Sequence, residues 1–309
     1  MSVAAAGGRA ATRNTLHGVL ALDKPAGITS FGAVREVRSL LGERRVGHAG
    51  TLDPQARGLL PICVGRATRL VEFFHAQPKT YRCCVRLGET SDTFDTEGTV
   101  TAAGDASGLT AEQVEAALQG FVGEIDQVPP MHSAVRHEGR HLYELARAGE
   151  EVERTPRTVV VYSAELRGFQ GGRVAEAEVE VTCGKGAYMR VLAADLGDAL
   201  ATGGLLGWLV RTRYGSLDID SAVSLEQLRE MDDPASALLG LDAAVAHLPR
   251  IDVGASAAGQ IRRGQAVWLP RSQQAGVAGE ARVHGPGGEL LAVGAMTGAL
   301  FRPSKVLGS

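Results

Sequence analysis

An alternating pattern between residues 174 and 183 limits the possible folds of this chain more than any other feature. Small or apolar residues alternate there with glutamates, in the order Ala175, Glu176, Ala177, Glu178, Val179, Glu180, Val181. A period of two predicts a β-strand with one face in a core and the other in water. Further strand patterns cover residues 17–23, 80–87, 158–166 and 205–214, and the signals between strands are mostly those of hairpins. The sequence therefore predicts a mostly antiparallel sheet.

Helix patterns lie between these strands at irregular intervals. Ser30 is a candidate N-cap for a helix that reaches Leu41, and Thr110 with Gln113 forms a capping box for a helix to about residue 118. Other helix patterns cover residues 67–74, 141–148, 189–201 and 224–231. Because strands and helices do not alternate regularly, a doubly wound sheet is excluded. The predicted fold class is α/β in the α+β sense, with a mixed sheet.

The chain divides into three regions. Its 309 residues are enough for one large and one small domain. Residues 1–14 are small and polar, and we expect a disordered tail there. The main domain is expected over residues 15–247. Short strands separated by glycine-rich turns then predict a small all-β module over residues 248–309.

Cysteine and apolar patterns bear on the cellular compartment. The four cysteines (Cys63, Cys83, Cys84 and Cys183) lack the C-x-x-C spacing and indicate neither a disulfide framework nor a zinc site. No segment approaches the roughly 18–20 apolar residues of a membrane helix, and the first residues lack the apolar run of a signal peptide. We therefore expect a cytoplasmic protein without a membrane contact.

The charge is unevenly distributed along the chain. The net charge of −3 by itself argues against a nucleic-acid partner. Residues 12–90 carry +6, residues 91–247 carry −14 and residues 248–309 carry +4. A basic stretch on one face attracts a phosphate backbone whatever the overall sum. On charge alone, RNA or DNA binding and an ordinary solvated surface both stay open.

Motifs for several common chemistries are missing. The chain has no H-E-x-x-H zinc motif, no G-x-x-x-x-G-K-[ST] phosphate loop and no G-x-S-x-G nucleophile elbow. His137 and His141 are spaced to share a helix face, but no third ligand lies near them in the sequence. The acidic segment 91–98 fails the spacing of a calcium loop. No metal or nucleotide site is therefore predicted.

The loop from residue 42 to residue 58 carries the strongest candidate for chemistry. Loops of that length in compact domains are usually functional or disordered. Asp53 is a lone carboxylate near Arg44 and Arg45, and Pro54 restricts the backbone of Asp53. Neighbouring positive charge keeps a carboxylate ionised, which suits a nucleophile or a base. An ordinary Asp-Pro turn is the structural alternative.

Five motifs follow one another along the chain. They are Leu22-Asp23-Lys24-Pro25-x-Gly27, Gly47-His48-x-Gly50-Thr51-Leu52-Asp53-Pro54, Lys79-Thr80-Tyr81 with the acidic segment 91–98, Pro130-Met131-x-Ser133-Ala134-Val135, and Cys183-x-Lys185-Gly186-x-Tyr188-Met189-Arg190. In order and spacing over residues 17–217, this set resembles the TruB family of tRNA pseudouridine synthases. The module after residue 247 resembles, more loosely, an RNA-binding PUA-type domain. Gly184 and Ala187 replace residues common in the family without removing a charge or a ring.

The resemblance implies a pseudouridine synthase fold and an isomerase without cofactor or metal, which converts uridine to pseudouridine at position 55 in the T loop of tRNA. Asp53 then corresponds to the catalytic aspartate, Tyr81 to the ring that stacks on the flipped base, and Arg190 to the ion-pair partner of the aspartate. Substrate-binding roles are implied for His48, Lys24, Tyr188, Leu209 and Lys185, with Lys24 supporting the loop or binding a phosphate. The resemblance leaves open whether Asp53 attacks the uracil ring, attacks C1′ or removes a ribose proton.

Other functions use the same residues. A tRNA-folding chaperone or RNA-binding protein has the same contacts without turnover. A relative that acts within a guide-RNA particle needs partner proteins, whereas we expect a monomer with tRNA, through its T-arm stem-loop, as the partner and no obligatory protein partner. A glycosidase needs two carboxylates, and only one lies in the special loop.

Overall fold

The computed structural model describes residues 16–133, 135–270 and 277–308. The expected tail over residues 1–14 lies outside the described residues. In chain order the strands are β1 (Gly18–Lys24), β2 (Val46–His48), β3 (Arg57–Val64), β4 (Lys79–Leu87), β5 (Glu89–Ser91), β6 (Val100–Ala102), β7 (Gly123–Gln127), β8 (Arg136–His137), β9 (Arg140–His141), β10 (Arg157–Gln170), β11 (Ala175–Cys183), β12 (Gly204–Tyr214), β13 (Leu217–Asp218), β14 (Val223–Ser224), β15 (Arg250–Asp252), β16 (Val267–Trp268), β17 (Gly279–His284), β18 (Leu290–Thr297) and β19 (Leu300–Val306).

Helices lie between the strands, and several agree with the sequence patterns to within a few residues. They are α1 (Ser30–Leu41), α2 (Val71–His75), α3 (Ala111–Gln119), α4 (Leu142–Arg147), α5 (Met189–Ala199), α6 (Leu225–Glu230) and α7 (Ala255–Arg262), with 3-10 turns at Gly65–Leu70, Ile219–Ser221, Pro234–Ala237 and Leu241–Ala244. The capping box of Thr110 and Gln113 opens α3 as predicted. The predicted helix over residues 67–74 is instead a 3-10 turn followed by the short α2. None of the described helices is long and apolar enough to span a bilayer.

Within the described residues, ten strands form one large sheet. Its main order is β14-β1-β3-β12-β4-β11-β10-β7, with β2 beside β3 and β13 beside β12. All these pairs are antiparallel except β1 with β14 and β3 with β12. The predicted mixed, mostly antiparallel sheet is therefore confirmed, and one of its two parallel pairs places β12 beside β3.

The alternating segment is the strand β11, near the centre of this sheet. Its small and apolar side chains are buried, and its glutamates are at least partly exposed. Glu178 pairs with Arg82 of β4, and Glu180 pairs with Arg167 of β10. The buried face packs against apolar residues of α1, α3 and α5 in one core. At β11, one face of the sheet thus builds the core, and the other carries ion pairs between neighbouring strands.

The C-terminal residues form a second sheet, in the order β15-β17-β18-β19-β16. This confirms the predicted small β module. The module also contains α7, which the sequence did not predict because its eight residues carry no long amphipathic pattern. Leu290, Val293 and Leu307 of the module share a core cluster with Val19 of β1 and Phe74 of α2. The boundary at residue 248 between a main domain and an RNA-binding module stays a prediction.

Candidate active site

Asp53 lies in the loop between β2 and β3. The Ala49 amide donates to the Pro61 carbonyl at 2.9 Å, and the Ala56 amide donates to the Asp53 carbonyl at 3.1 Å, so both ends of the loop are fastened. Gly50 adopts φ +124°, and a Cβ there would lie 3.1 Å from the Tyr214 hydroxyl oxygen. Only glycine adopts this positive φ and allows this close approach of Tyr214 without strain. The loop therefore has a fixed conformation held by tertiary contacts, and it is more than a simple Asp-Pro turn.

The Asp53 carboxylate pairs with Arg190, in the first turn of α5. The Arg190 Nε lies 3.1 Å from Asp53 Oδ2. The arginine side chain is only 7% exposed, whereas that of Asp53 is 48% exposed. A buried guanidinium thus holds a carboxylate that remains open to a ligand. Among the described residues no hydrogen bond or ion pair engages Asp53 Oδ1, which leaves that oxygen available.

Arg190 connects Asp53 to two further loops. Its Nη1 lies 3.5 Å from Asp95 Oδ2 and donates to the Thr93 carbonyl at 3.3 Å. Its Nη2 donates to the His132 carbonyl at 2.8 Å. Charge-assisted bonds of this kind are about twice as strong as neutral ones. One side chain therefore sets the mutual positions of the Asp53 loop, the acidic segment 91–98 and the segment around residue 132.

The start of α5 is held by a buried amide. Gln127, at the end of β7, is 1% exposed. Its Oε1 accepts from the Tyr188 amide at 2.9 Å, and its Nε2 donates to the Tyr188 carbonyl at 3.3 Å. The predicted site residue Tyr188 is half-buried at the N-cap position of α5. Gln127 thereby orients the turn that presents both Tyr188 and Arg190.

Lys24, at the end of β1, supports the Asp53 loop from inside the protein. The side chain is fully buried, and its Nζ donates to the carbonyls of Pro25 (2.8 Å), Ile28 (2.9 Å) and Pro54 (3.1 Å). Burial lowers the pKa of Lys24 to about 8, while the nearby Asp53 opposes that shift. All three N–H groups bond to backbone oxygens, so the geometry favours loop support over phosphate binding.

Ser30 is a second support for the loop, and the sequence assigned it a different role. The N-cap of α1 is Thr29, whose side chain accepts from the Gly32 amide. Ser30 is buried; its hydroxyl donates to the Leu52 carbonyl at 2.9 Å and accepts from the Leu52 amide at 2.8 Å. The predicted cap was therefore wrong by one residue, because Thr29 and Ser30 are both good cap formers. The displaced serine fastens the residue before Asp53.

Arg211 of β12 is the third support. It is 1% exposed, and it donates to the Leu59 carbonyl at 2.7 Å and the Gly50 carbonyl at 3.3 Å. Its guanidinium carbon lies 4.9 Å from the ring centre of Tyr214 and 5.9 Å from that of Tyr81. Lys24, Ser30 and Arg211 together hold the backbone at residues 54, 52 and 50. We call these three side chains the loop clamp.

Tyr81 lies on β4 next to Arg211 and is 8% exposed. Burial raises the pKa of its hydroxyl; Arg211 lowers that pKa in part, and Asp53 raises it further. The hydroxyl is therefore protonated at neutral pH. Leu209 pairs with Cys83, two residues along β4, and so shares the sheet face of Tyr81. The ring and the leucine side chain form an apolar wall beside the charged pair.

The two remaining predicted site residues lie at the edges. His48 is half-buried at the end of β2; burial lowers its pKa, and Arg211 and His75 lower it further. The imidazole is therefore neutral at pH 7. Its Nδ1 is buried without a hydrogen-bond partner in the described part of the chain. Lys185 is exposed in the turn before α5. In the described segments no three histidine, cysteine or acidic side chains lie close enough to bind a metal.

Four contributors were missed by the sequence. Arg211, Ser30, Gln127 and Asp95 all contact the site through the bonds given above. Arg211 directly follows the apolar residues Leu209 and Val210 in a predicted strand, which was a usable signal, because buried arginines are rare unless paired. Asp95 lies in the acidic segment 91–98, which belongs to one of the five motifs, but no role of its own was assigned to this residue from the sequence. Ser30 and Gln127 carried no local signal, since their partners lie 22 and 61 residues away.

The sequence of this chain is similar to the sequences of known proteins. A model of the TruB family pseudouridylate synthase N-terminal domain matches residues 38–189. The tRNA pseudouridine synthase B of Saccharophagus degradans is 41% identical over 298 residues, which cover 94% of this chain and 95% of that protein. Proteins of the same name from Aromatoleum aromaticum and Ralstonia nicotianae are 44% and 42% identical; the alignments cover 89% and 96% of this chain, and 87% and 95% of those proteins.

Solved structures show the same fold. A Cbf5–Nop10–Gar1 complex matches with a TM-score of 0.70 and 24% identity, over 94% of this chain and 84% of that one. An archaeal box H/ACA Nop10–Cbf5 complex matches with a TM-score of 0.71 and 25% identity, over 94% of this chain and 86% of that one. The expected architecture is therefore confirmed for nearly the whole chain.

Proposed function

The chain belongs to the TruB family of pseudouridylate synthases and isomerises uridine to pseudouridine in tRNA; from this premise we propose that its target is the T-loop uridine numbered 55 and that Asp53 is the catalytic residue. One observation carries the assignment of Asp53. The carboxylate is bound at Oδ2 by the buried Arg190 and is otherwise open. Such a carboxylate is oriented and charge-compensated without being blocked.

The reaction is an isomerisation, in which the bond between base and ribose changes and the atoms of the nucleotide stay the same. The N1–C1′ bond breaks, the base turns, a C5–C1′ bond forms, and one proton moves from C5 to N1. The target base is extruded from its stack, which costs a few kcal/mol. We propose that Tyr81 and Leu209 cover the extruded ring, since together they offer an aromatic face and an apolar side chain on one sheet face. Because the Tyr81 hydroxyl is protonated, it can act only as a donor towards N1 in this transfer, and a different group accepts the C5 proton.

The other predicted site residues are proposed to act around this centre. We propose that His48, Tyr188 and Lys185 contact the RNA, with the neutral imidazole as a hydrogen-bonding group and the exposed ammonium near phosphate. We propose that Lys24 supports the loop, because its donors are all used by backbone carbonyls. The C-terminal β module is proposed to bind RNA in the manner of a PUA-type domain.

The finer proposals on assembly and location can be checked separately. We propose that the chain works in the cytoplasm as a monomer and without a protein partner. Analytical ultracentrifugation of the purified chain measures its oligomeric state. Pseudouridine formation by the purified chain on a bare T-arm hairpin is the expected result. Activity that requires added proteins would instead indicate a guide-RNA type of enzyme.

Substitution of the candidate catalytic residue tests the central assignment. Asp53→Asn keeps the shape of the side chain and removes its negative charge. We expect pseudouridine formation to fall by at least about 10³-fold, because a catalytic group is lost, while tRNA affinity stays within about threefold. Mass spectrometry of the RNA and filter binding measure the two quantities. Unchanged modification would refute the role of Asp53, and a wild-type chain that binds without turnover would favour the tRNA-folding chaperone.

A further inference from the structure

One face of α1 combines an exposed aromatic ring with arginines. Phe31, Arg35 and Arg38 stand at positions i, i+4 and i+7, and therefore share one side of the helix. The Phe31 side chain is 58% exposed, and the Arg38 guanidinium lies 5.8 Å from the centre of its ring. Arg35 is exposed and has no ion-pair partner among the described residues. We call these three residues the Phe31 stripe.

The stripe is attached to the catalytic loop at two points. Ser30, the neighbour of Phe31, bonds both peptide groups of Leu52, the neighbour of Asp53. At the other end, Arg38 Nη2 donates to the Val46 carbonyl at 2.7 Å, in the strand that carries His48. The helix therefore cannot shift without moving the site. A surface next to the Asp53 loop is where RNA flanking the target nucleotide must pass.

The charges around the stripe favour an anionic partner. Glu36 pairs with Arg229 of α6 at 3.0 Å, and Glu43 accepts from the Arg45 amide at 2.9 Å. Both acids are thereby engaged with protein groups. Arg44 and Arg45 are exposed, and in the described residues neither guanidinium has a carboxylate partner. Unpaired cations beside an exposed ring are the combination that binds single-stranded nucleic acid.

We propose that Phe31 stacks on one unpaired base of the substrate RNA next to the extruded uridine, while Arg35 binds an adjacent phosphate. Arg38 fixes the ring, so little conformational freedom is lost on stacking. This inference rests on the proposed function, since the RNA is the substrate of that site. It adds a second stacking position, outside the pocket formed by Tyr81 and Leu209.

Ring substitutions on a T-arm hairpin test the proposal. Binding is measured in an Asp53→Asn background, and kcat and KM in the active chain. Phe31→Ala is expected to weaken binding and raise KM by about 5- to 100-fold, the range of one base–aromatic stack, with kcat at saturating RNA within about threefold. Phe31→Trp should retain affinity within about twofold. Thermal unfolding should be unchanged, because the side chain is largely exposed.

Two controls make the result specific. Trp208→Ala removes another exposed ring, on the opposite sheet face from Leu209, and should leave affinity unchanged. A series of hairpins with single abasic sites should contain one position at which Phe31→Ala has no further effect, which identifies the stacked base.

Equal affinities of Phe31→Ala and wild type overturn the inference, as does full affinity of Phe31→Leu, which indicates apolar contact without stacking. If the wild-type chain neither binds nor modifies the hairpin, the proposed function fails and this inference fails with it.

Discussion

The Asp53 loop and the contact between the two sheets are fastened by the same kind of bond in different surroundings. In the loop clamp, Lys24 and Arg211 donate to backbone carbonyls, and both are at most 1% exposed. At the contact between the sheets, Arg66 donates to the Leu307 carbonyl at 2.8 Å, and the exposed Arg69 donates to the Val306 carbonyl at 2.6 Å. The bonds have similar lengths, but water freely reaches only the bond of Arg69, whereas Arg66 is half-buried.

The difference follows from what each region has to hold. The sheet contact already contains apolar residues of both sheets, such as Val19 and Val293, which bury area without directional bonds. The Asp53 loop is irregular backbone, and its carbonyls need partners from side chains. A cation buried for that purpose loses its hydration, and removing it leaves acceptors unpaired. Burial, rather than bond length, is therefore expected to decide how much each bond contributes.

The largest stability effect is expected for the arginine of the loop clamp. Arg211→Met removes donors to Leu59 and Gly50 inside the core, so we expect a loss of about 2–4 kcal/mol in the free energy of unfolding. A displaced Asp53 loop should also lower kcat by about 10- to 100-fold. Urea unfolding and single-turnover kinetics measure the two effects. The pKa of His48 should rise in this variant, because Arg211 contributes to lowering it.

A pH-dependent effect of intermediate size is expected for Lys24. Its pKa is lowered to about 8, so between about pH 8 and pH 10.5 the unfolded chain binds a proton that the folded chain has lost. Stability from this group therefore rises with pH over that range. We subtract the unfolding free energy of Lys24→Met from that of wild type. From pH 7 to pH 10 this difference is expected to increase by about 1–3 kcal/mol. Urea titrations at pH 7, 9 and 10 check this, and a constant difference would show that Lys24 titrates normally.

The smallest effect is expected at the sheet contact. Arg69→Ala removes an exposed donor whose acceptor, the Val306 carbonyl, can bond to water instead. We expect a loss below about 0.5 kcal/mol and unchanged kcat on a T-arm hairpin. Thermal unfolding and the same kinetic assay measure both. If Arg69→Ala lowered the free energy of unfolding as much as Arg211→Met, burial would not decide how much each bond contributes to stability.

Part of the site was predictable because its signals are local. Asp53 stood in a glycine-flanked loop before Pro54, in a motif that resembles a known family, and the ion pair with Arg190 was implied by that resemblance. The geometry shows the pair, with 3.1 Å between Nε and Oδ2. Ser30 shows the opposite case. Its neighbourhood indicated a helix cap, and only its contact with Leu52, 22 residues away, explains its burial.

The sequence by itself determined the long strands β1, β4, β10, β11 and β12, most helices and the choice of Asp53 as the candidate residue, because periodicity, capping residues and motif spacing act over a few neighbouring positions. Only the tertiary structure decided that Lys24, Ser30 and Arg211, from three different elements, meet under one loop, and that Arg190 joins Asp53 to Asp95. Such meetings depend on sheet order, above all on β12 lying between β3 and β4. Strand order is set by the packing of the whole chain, and no local pattern carries it.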